Sequence, residues 1–217
     1  YDHDTMSLAA AWTGAGFIDG KSIAFDQSHG SHPSIVGTRQ VVNSPGPGIA
    51  QPGTGSFVDP RPLGADGLPY GPLPRDWAHY RGLYQHSGRA VLSYSIGKTD
   101  VLECPGLIET NGALVFTRTF QVRRAEADLL IRIAPTPAMA QVQGTAADLL
   151  TTNGLHLLHI PAAATPGRFR VCFSAQDFPG VPGGAVEDLT PLTHGGPPQW
   201  PGAITLAGQR GDDGGPL

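Results

Sequence analysis

Tyr80-Arg-Gly-Leu-Tyr-Gln-His86, then Ser87-Gly88, then Arg89-Ala-Val-Leu-Ser-Tyr-Ser-Ile96 is the stretch that decides the fold. A Ser-Gly pair between two runs rich in aromatic and β-branched residues is tight-hairpin chemistry. Leu92, Tyr94 and Ile96 alternate with Val91, Ser93 and Ser95, the period of two that predicts a half-buried strand. Working outward, Lys98–Cys104 predicts the next strand, and Ala113–Val122 with Asp128–Ala134 predicts a further pair. Gly154–Pro161 and Arg168–Ser174 (Phe-Arg-Val-Cys-Phe at 169–173) complete the set. Strands at such short intervals predict a mainly β protein: an antiparallel β-sandwich, jelly-roll or supersandwich-like, with long ordered Gly/Pro-rich loops and little helix.

Composition agrees. The 217 residues include 30 glycines and 21 prolines, the two worst residues for a helix interior. A chain of this length buries about 70% of its unfolded surface, so it needs no metal or disulfide to fold. The net charge of −4 with 14 Lys and Arg gives no footprint for nucleic acid. No run of 18 or more apolar residues occurs, so no transmembrane segment is expected.

Residues 1–175 read as one sandwich domain, with a loop-rich part over 1–80 and a strand-rich core over 80–175. Within the first part, 4–13 suits a short helix or an extended segment and Phe17–Phe25 a strand. From Asn43 to Arg75 runs a Gly/Pro-rich passage longer than most structureless loops in compact domains; Phe57, Tyr70 and Trp77 suit an ordered, packed loop there. Residues 176–217 read as an irregular extension or linker, anchored at Gly195–Pro201 and Ile204-Thr205-Leu206. The start at Tyr1 and the end at Arg-Gly-Asp-Asp-Gly-Gly-Pro-Leu suggest a processed or excised piece of something longer.

Several groups could carry chemistry. His29 and His32 lie in a His-Gly-Ser-His-Pro turn, with Asp2, His3 and Asp4 upstream. Imidazole and carboxylate are zinc and copper ligands, while the plainer reading is a loop held by backbone hydrogen bonds. His156 and His159 are three apart on a strand, which sets them on opposite faces. Asp59, Asp66 and Asp76 offer calcium oxygen ligands in a loop, against ordinary turn chemistry. Glu103 and Glu109 are a carboxylate pair of the kind that hydrolyses sugars, if they meet in space. Arg75, Arg81 and Arg89 flank Trp77, Tyr80 and Tyr84, and such interleaving can build a face for a sugar or another domain. With Phe57 and Tyr70, the residues Arg75, Trp77, Tyr80, Arg81 and Tyr84 form the expected contact face. Cys104 and Cys172 are a disulfide or two buried thiols. The nucleophile elbow Gly-x-Ser-x-Gly and phosphate-cradling loops are missing from the sequence.

Tyr1–Met6, Ala9–Gly14 with Phe17-Ile18-Asp19, and His29-Gly30 occur in a particular order. Asp59-Pro60-Arg61, Tyr70-Gly71-Pro72-Leu73-Pro74, Tyr80–Tyr84 and Val91–Tyr94 follow, then Phe116–Thr119 and Gly195–Pro201. This order, rather than any one motif, resembles a bacterial domain of unknown function and covers essentially the whole chain. In that family the domain forms the N-terminal part of large exported, membrane-bound dehydrogenase-like proteins that continue into a β-propeller and a c-type cytochrome domain. The resemblance implies a periplasmic or extracellular location and partnership with redox domains, and it implies no catalytic residue. The chain has no Cys-x-x-Cys-His haem motif, so haem would belong to a partner.

The expected function is therefore a non-catalytic docking domain or subunit of an exported redox assembly, with no cofactor in this chain. Its partners would be the propeller and cytochrome domains or a larger complex. One alternative is a carbohydrate-active sandwich enzyme using His29, His32 and a carboxylate, with or without a metal. Another is a structural subunit that clamps a larger complex.

Overall fold

The computed structural model describes residues 1–14, 16, 18–19, 33–144, 146–163, 165–181 and 183–194. The chain is mainly β, with antiparallel sheets. Two short strands open it, β1 (Ala10–Thr13) and β2 (Thr38–Val42), paired with each other. Then come β3 (Ala78–His86), β4 (Arg89–Ile96), β5 (Thr99–Thr110), β6 (Ala113–Val122), β7 (Leu129–Pro135), β8 (Met139–Gln143), β9 (Asp148–Thr152), β10 (Leu155–Ile160) and β11 (Gly167–Ser174). Six strands form one sheet in the order β3-β4-β5-β6-β11-β8, and three form another in the order β7-β10-β9.

The β3–β4 hairpin is the predicted one. Ser87 at φ 48° and Gly88 at φ 76° form its turn, both left-handed as a turn matched to strand twist requires. Residues 113–122 and 128–134 do not pair, contrary to expectation. Strand β6 already has β5 on one side and β11 on the other, and β7 joins β10 in the second sheet. Pro105 interrupts nothing, because β4 stops pairing with β5 at Glu103, and past that point the ladder asks no N–H of β5 on that side. Residues 4–13 are a turn followed by β1 rather than a helix. The expected strand over 17–25 lies outside the described residues except at Ile18 and Asp19.

The two sheets share one core. Tyr94, Ile96, Val101, Phe120, Val122, Phe169, Val171 and Phe173 come from the large sheet, and Leu129, Ile131, Ile133, Leu158 and Ile160 from the small one. Phe120 and Phe169, directly opposite across β6 and β11, stack at 5.5 Å. The N-terminal turn closes one side, where Gly48 passes against the Met6 backbone. A Cβ there would fall 2.3 Å from the Met6 carbonyl oxygen, so only glycine fits.

This apolar core contains an ion pair. Arg118 donates to both oxygens of Glu103, Nε at 2.6 Å and Nη2 at 3.0 Å, and both side chains are fully buried. Tyr94 donates its hydroxyl to the same carboxylate at 2.7 Å, and Arg118 Nη1 reaches the Arg132 carbonyl on the other sheet at 2.9 Å. Burial works against the guanidinium charge, yet the facing carboxylate holds Arg118 above its ordinary value. Each charge thus has its hydrogen bonds, the condition for tolerating ions away from water.

The opposite face of the large sheet is also covered. The described residues of 176–194 contain no strand, and Phe178, Val181, Leu189 and Leu192 among them pack on it. Phe178 sits with Val115 and Cys172, and Leu189 with Val91 and Cys104. Arg89 clamps the strap through Glu187 at 2.7 Å. This is why Val91, on the face opposite to Leu92, Tyr94 and Ile96, is fully buried as well. Cys104 and Cys172 are free thiols. They lie opposite Thr119 and Thr117 on the two flanks of β6, so two strand spacings put them roughly 10 Å apart, beyond disulfide reach. Burial pushes the Cys172 thiol up to about 11.

Candidate functional site

The passage from 58 to 70 is an ordered loop that folds on itself. Asp59 accepts three bonds from the Arg61 guanidinium group and one from its amide, and Arg61 also donates to the Gly71 carbonyl at 3.1 Å. The Arg61 bonds hold the Asp59 carboxyl below its ordinary value. A short hairpin follows, with Gly64 N–H on the Leu68 carbonyl, Tyr70 N–H on the Pro62 carbonyl and a bridge between Leu63 and Pro69. Tyr70 donates its hydroxyl to Asp66, whose other oxygen takes the Leu68 amide. The Tyr70 ring lies over Gly64, where a Cβ would clash.

Internal bracing does not hide the apolar side chains. Val58 is 77% exposed, Leu63 69%, Leu68 59% and Tyr70 55%. The loop is therefore heavily bonded within itself and still holds four large apolar groups in water.

The expected contact face is divided rather than continuous. Tyr70 belongs to the loop just described. Trp77 is core, 4% exposed, with its indole N–H on the Ile49 carbonyl at 3.1 Å, because the buried indole needs an acceptor and Ile49 passes beneath it. Phe57 packs under Arg132, whose guanidinium lies 5.3 Å from the ring centre. Arg75 bonds His79 at 2.9 Å, and Tyr80 meets the edge of His3 at 5.4 Å. On the other side of β3, Arg81 pairs with Asp100 at 2.7 Å, and with the exposed Tyr84 it lines a groove of about 300 Å³ that His194 closes. A β-bulge causes this split: Arg81 is the extra residue between the Tyr80–Tyr94 and Gly82–Ser93 pairs, so Tyr80 and Tyr84 fall on opposite faces although they are four apart. The sequence also gives no sign of the exposed Leu63 and Leu68; their signal lies in the Asp59-x-Arg61 and Asp66-x-Leu68 turn bonds around them.

Of the candidate metal ligands, the described ones are Asp2, His3 and Asp4, and these three do not converge. His3 lies 3.6 Å from Asp4, whereas Asp2 turns away to accept from the Asp4 and Thr5 amides and the Thr5 hydroxyl. His29 and His32 lie outside the described residues. Among the described residues no three His, Cys, Asp or Glu side chains are placed to hold a metal ion. Asp59 and Asp66 are engaged with Arg61 and Tyr70. Glu103 and Glu109 stand six residues apart on one strand, about 20 Å, so they form no acid pair; Glu109 is exposed. His156 bonds Thr151 and the Ala138 carbonyl, while His159 bonds Asp128. No helix among the described residues is long and apolar enough to cross a membrane.

Residues 1–103 match a family model described as a domain of unknown function (DUF6797). The match takes in the N-terminal turn, the braced loop and the β3–β4 hairpin, and ends within β5. No curated protein and no solved structure matches the chain.

Proposed function

We propose that this chain is a non-catalytic docking domain or subunit of an exported, c-type cytochrome-linked, dehydrogenase-like assembly. The observation that carries the reading is the loop over 58–70: rigid by its own hydrogen bonds, yet with Val58, Leu63, Leu68 and Tyr70 held in water. A preformed contact face loses little conformational entropy on binding. The central apolar anchors with a polar surround of Asp59, Arg61 and Asp66 suit an interface whose core is dry and whose rim is wet. The redox setting comes from the resemblance of the ordered motifs and stands as an expectation about the partner. No catalytic residue and no cofactor in this chain enter the reading.

The test is affinity purification of the tagged full chain from its native host, read by haem absorbance and mass of the recovered complex. A haem protein should accompany the chain, and the Leu63→Asp/Leu68→Asp variant should lose it while keeping its own melting temperature. Recovery of no haem protein, or equal recovery with the variant, rejects the reading.

A further inference from the structure

The large sheet ends in strand β3, and the second half of that strand is open on its outer side. In a two-residue hairpin the residues flanking the turn exchange both backbone hydrogen bonds, and bonding then alternates along the ladder. His86, Tyr84 and Gly82 therefore bond Arg89, Val91 and Ser93 of β4, and the N–H and C=O groups of Leu83 and Gln85 point the other way. No hydrogen bond among the described residues reaches those four groups.

The other sheet edges are treated differently. Strand β7 is closed by residues 48–50, where Ala50 donates to the Leu130 carbonyl and Arg132 to the Gly48 carbonyl. Strand β8 is tied to Val181 of the strap through the side chains of Gln141 and Gln143. Strand β9 carries the exposed charge of Asp148. Charge and proline are the usual means of blunting an edge, and Gly82–His86 contains no Asp, Glu, Lys, Arg or Pro. It presents instead the exposed side chains of Leu83 and Tyr84. Beside them lies a groove of about 500 Å³, walled also by Leu192, Thr193 and His194.

We propose that this edge pairs with a second copy of itself, antiparallel about a two-fold axis at Tyr84, so that two six-stranded sheets become one. In that register Leu83 exchanges both backbone bonds with the partner's Gln85, and Gln85 with the partner's Leu83, and every open group of both copies is satisfied. Centring on Leu83 sets Gln85 against the bulge at Arg81, and centring on Gln85 sets Leu83 against the turn at Ser87; either leaves groups unmet. The two Tyr84 rings meet as a non-hydrogen-bonded cross-strand pair on the outer face, where side chains approach most closely and aromatic pairs are favoured. No formal charge in the segment opposes the approach. The Arg81 bulge ends the ladder after these residues, so the interface is small and the dimer depends on concentration.

The test is sedimentation of the full chain from about 1 µM to about 1 mM, the range suited to a small interface, with cysteine cross-linking to fix the register. The mass should double across that range. Gln85→Pro removes an N–H that β4 does not use, so it should give a monomer throughout, with the melting temperature of the dilute chain unchanged. On oxidation Tyr84→Cys should link one copy to the other, because the Cα atoms of a non-hydrogen-bonded pair stand about 4.5 Å apart, within disulfide reach. Leu83→Cys should not, because its symmetry image lies two residues further along, about 8 Å away. The unsubstituted chain, whose Cys104 and Cys172 are buried, is the blank. A monomer at about 1 mM, a Gln85→Pro variant that still dimerises, or equal cross-linking of the two cysteine variants overturns the proposal.

Discussion

Between the sheets, Glu103 and Arg118 sit together out of water; on the 58–70 loop, Leu63 and Leu68 stand in it. Each placement reverses the usual rule, and for different ends. The buried pair is tied into the fold at every polar atom it offers: Tyr94 from the same sheet, the Arg132 carbonyl from the other. A two-residue slip keeps an apolar strand's core face inward, whereas a carboxylate and a guanidinium in hydrocarbon are satisfied only when their own strands align. The loop has no such ties to the core. The bonds within 58–71 run among its own residues, and the Leu63 and Leu68 side chains are exposed. The charge inside is bound to both sheets, and the leucines outside are the side chains that the proposed docking role would use.

The largest effect should come from breaking the inner half of this contrast. Arg118→Met strands the Glu103 carboxylate, and the loss should be about 3–5 kcal/mol in urea denaturation. Arg118→Met/Glu103→Leu should recover most of it, since apolar replacement of a whole buried pair is often neutral. A double variant as unstable as the single one would mean that the pair stabilises the fold outright rather than specifying it.

The strap on the outer face of the large sheet sharpens the same comparison. Leu189 is fully buried against Val91 and Cys104, so Leu189→Ala should cost about 2–5 kcal/mol. Leu68→Ser on the loop should stay within about 0.5 kcal/mol, as surface substitutions do. Equal losses in a denaturation series would erase the distinction between a packed segment and a displayed one.

A smaller effect should appear at alkaline pH. Burial pushes the Tyr94 hydroxyl well above the ordinary tyrosine range, with Glu103 adding to it. Tyr1 is 37% exposed as a residue, but its phenol end is enclosed and is raised the same way. Unfolded tyrosines ionise near pH 10 while these stay protonated, so their contribution is full below about pH 10 and is lost as pH rises through the folded values. Melting temperature should therefore fall above about pH 10. Tyr94→Phe should be less stable at neutral pH but show a shallower alkaline slope; an unchanged slope would place the titration elsewhere.

The sequence made the strands legible where a turn and an alternation coincided. Ser87-Gly88 with Leu92, Tyr94 and Ile96 defined β3 and β4 almost to the residue, and Ala113–Val122 defined β6. It misplaced partners, because pattern says which residues are strand and not which strand lies beside which; the change of sheet between β6 and β7 leaves no local mark. Short β8 and β9 were missed because Met139–Gln143 and Asp148–Thr152 have too little alternation to read. The outer strap was hidden for a similar reason: Phe178 and Leu189 are isolated apolar residues in an irregular stretch, and only the sheet beneath gives them a role. Nothing local marks Glu103 as buried, because a charge normally is not and its partner Arg118 is 15 residues away along a hairpin. Within the passage where the sequence suggests a contact face, Phe57 and Trp77 turn inward while Leu63 and Leu68 turn out.

The most direct measurement is amide hydrogen exchange over residues 58–75, in the free chain and in the complex isolated from its host. The account predicts slow exchange at the Gly64 and Tyr70 amides in the free chain, where each is already bonded, and added protection across 58–70 in the complex. Fast exchange at those amides in the free chain, or protection unchanged by the partner, would contradict a preformed docking loop.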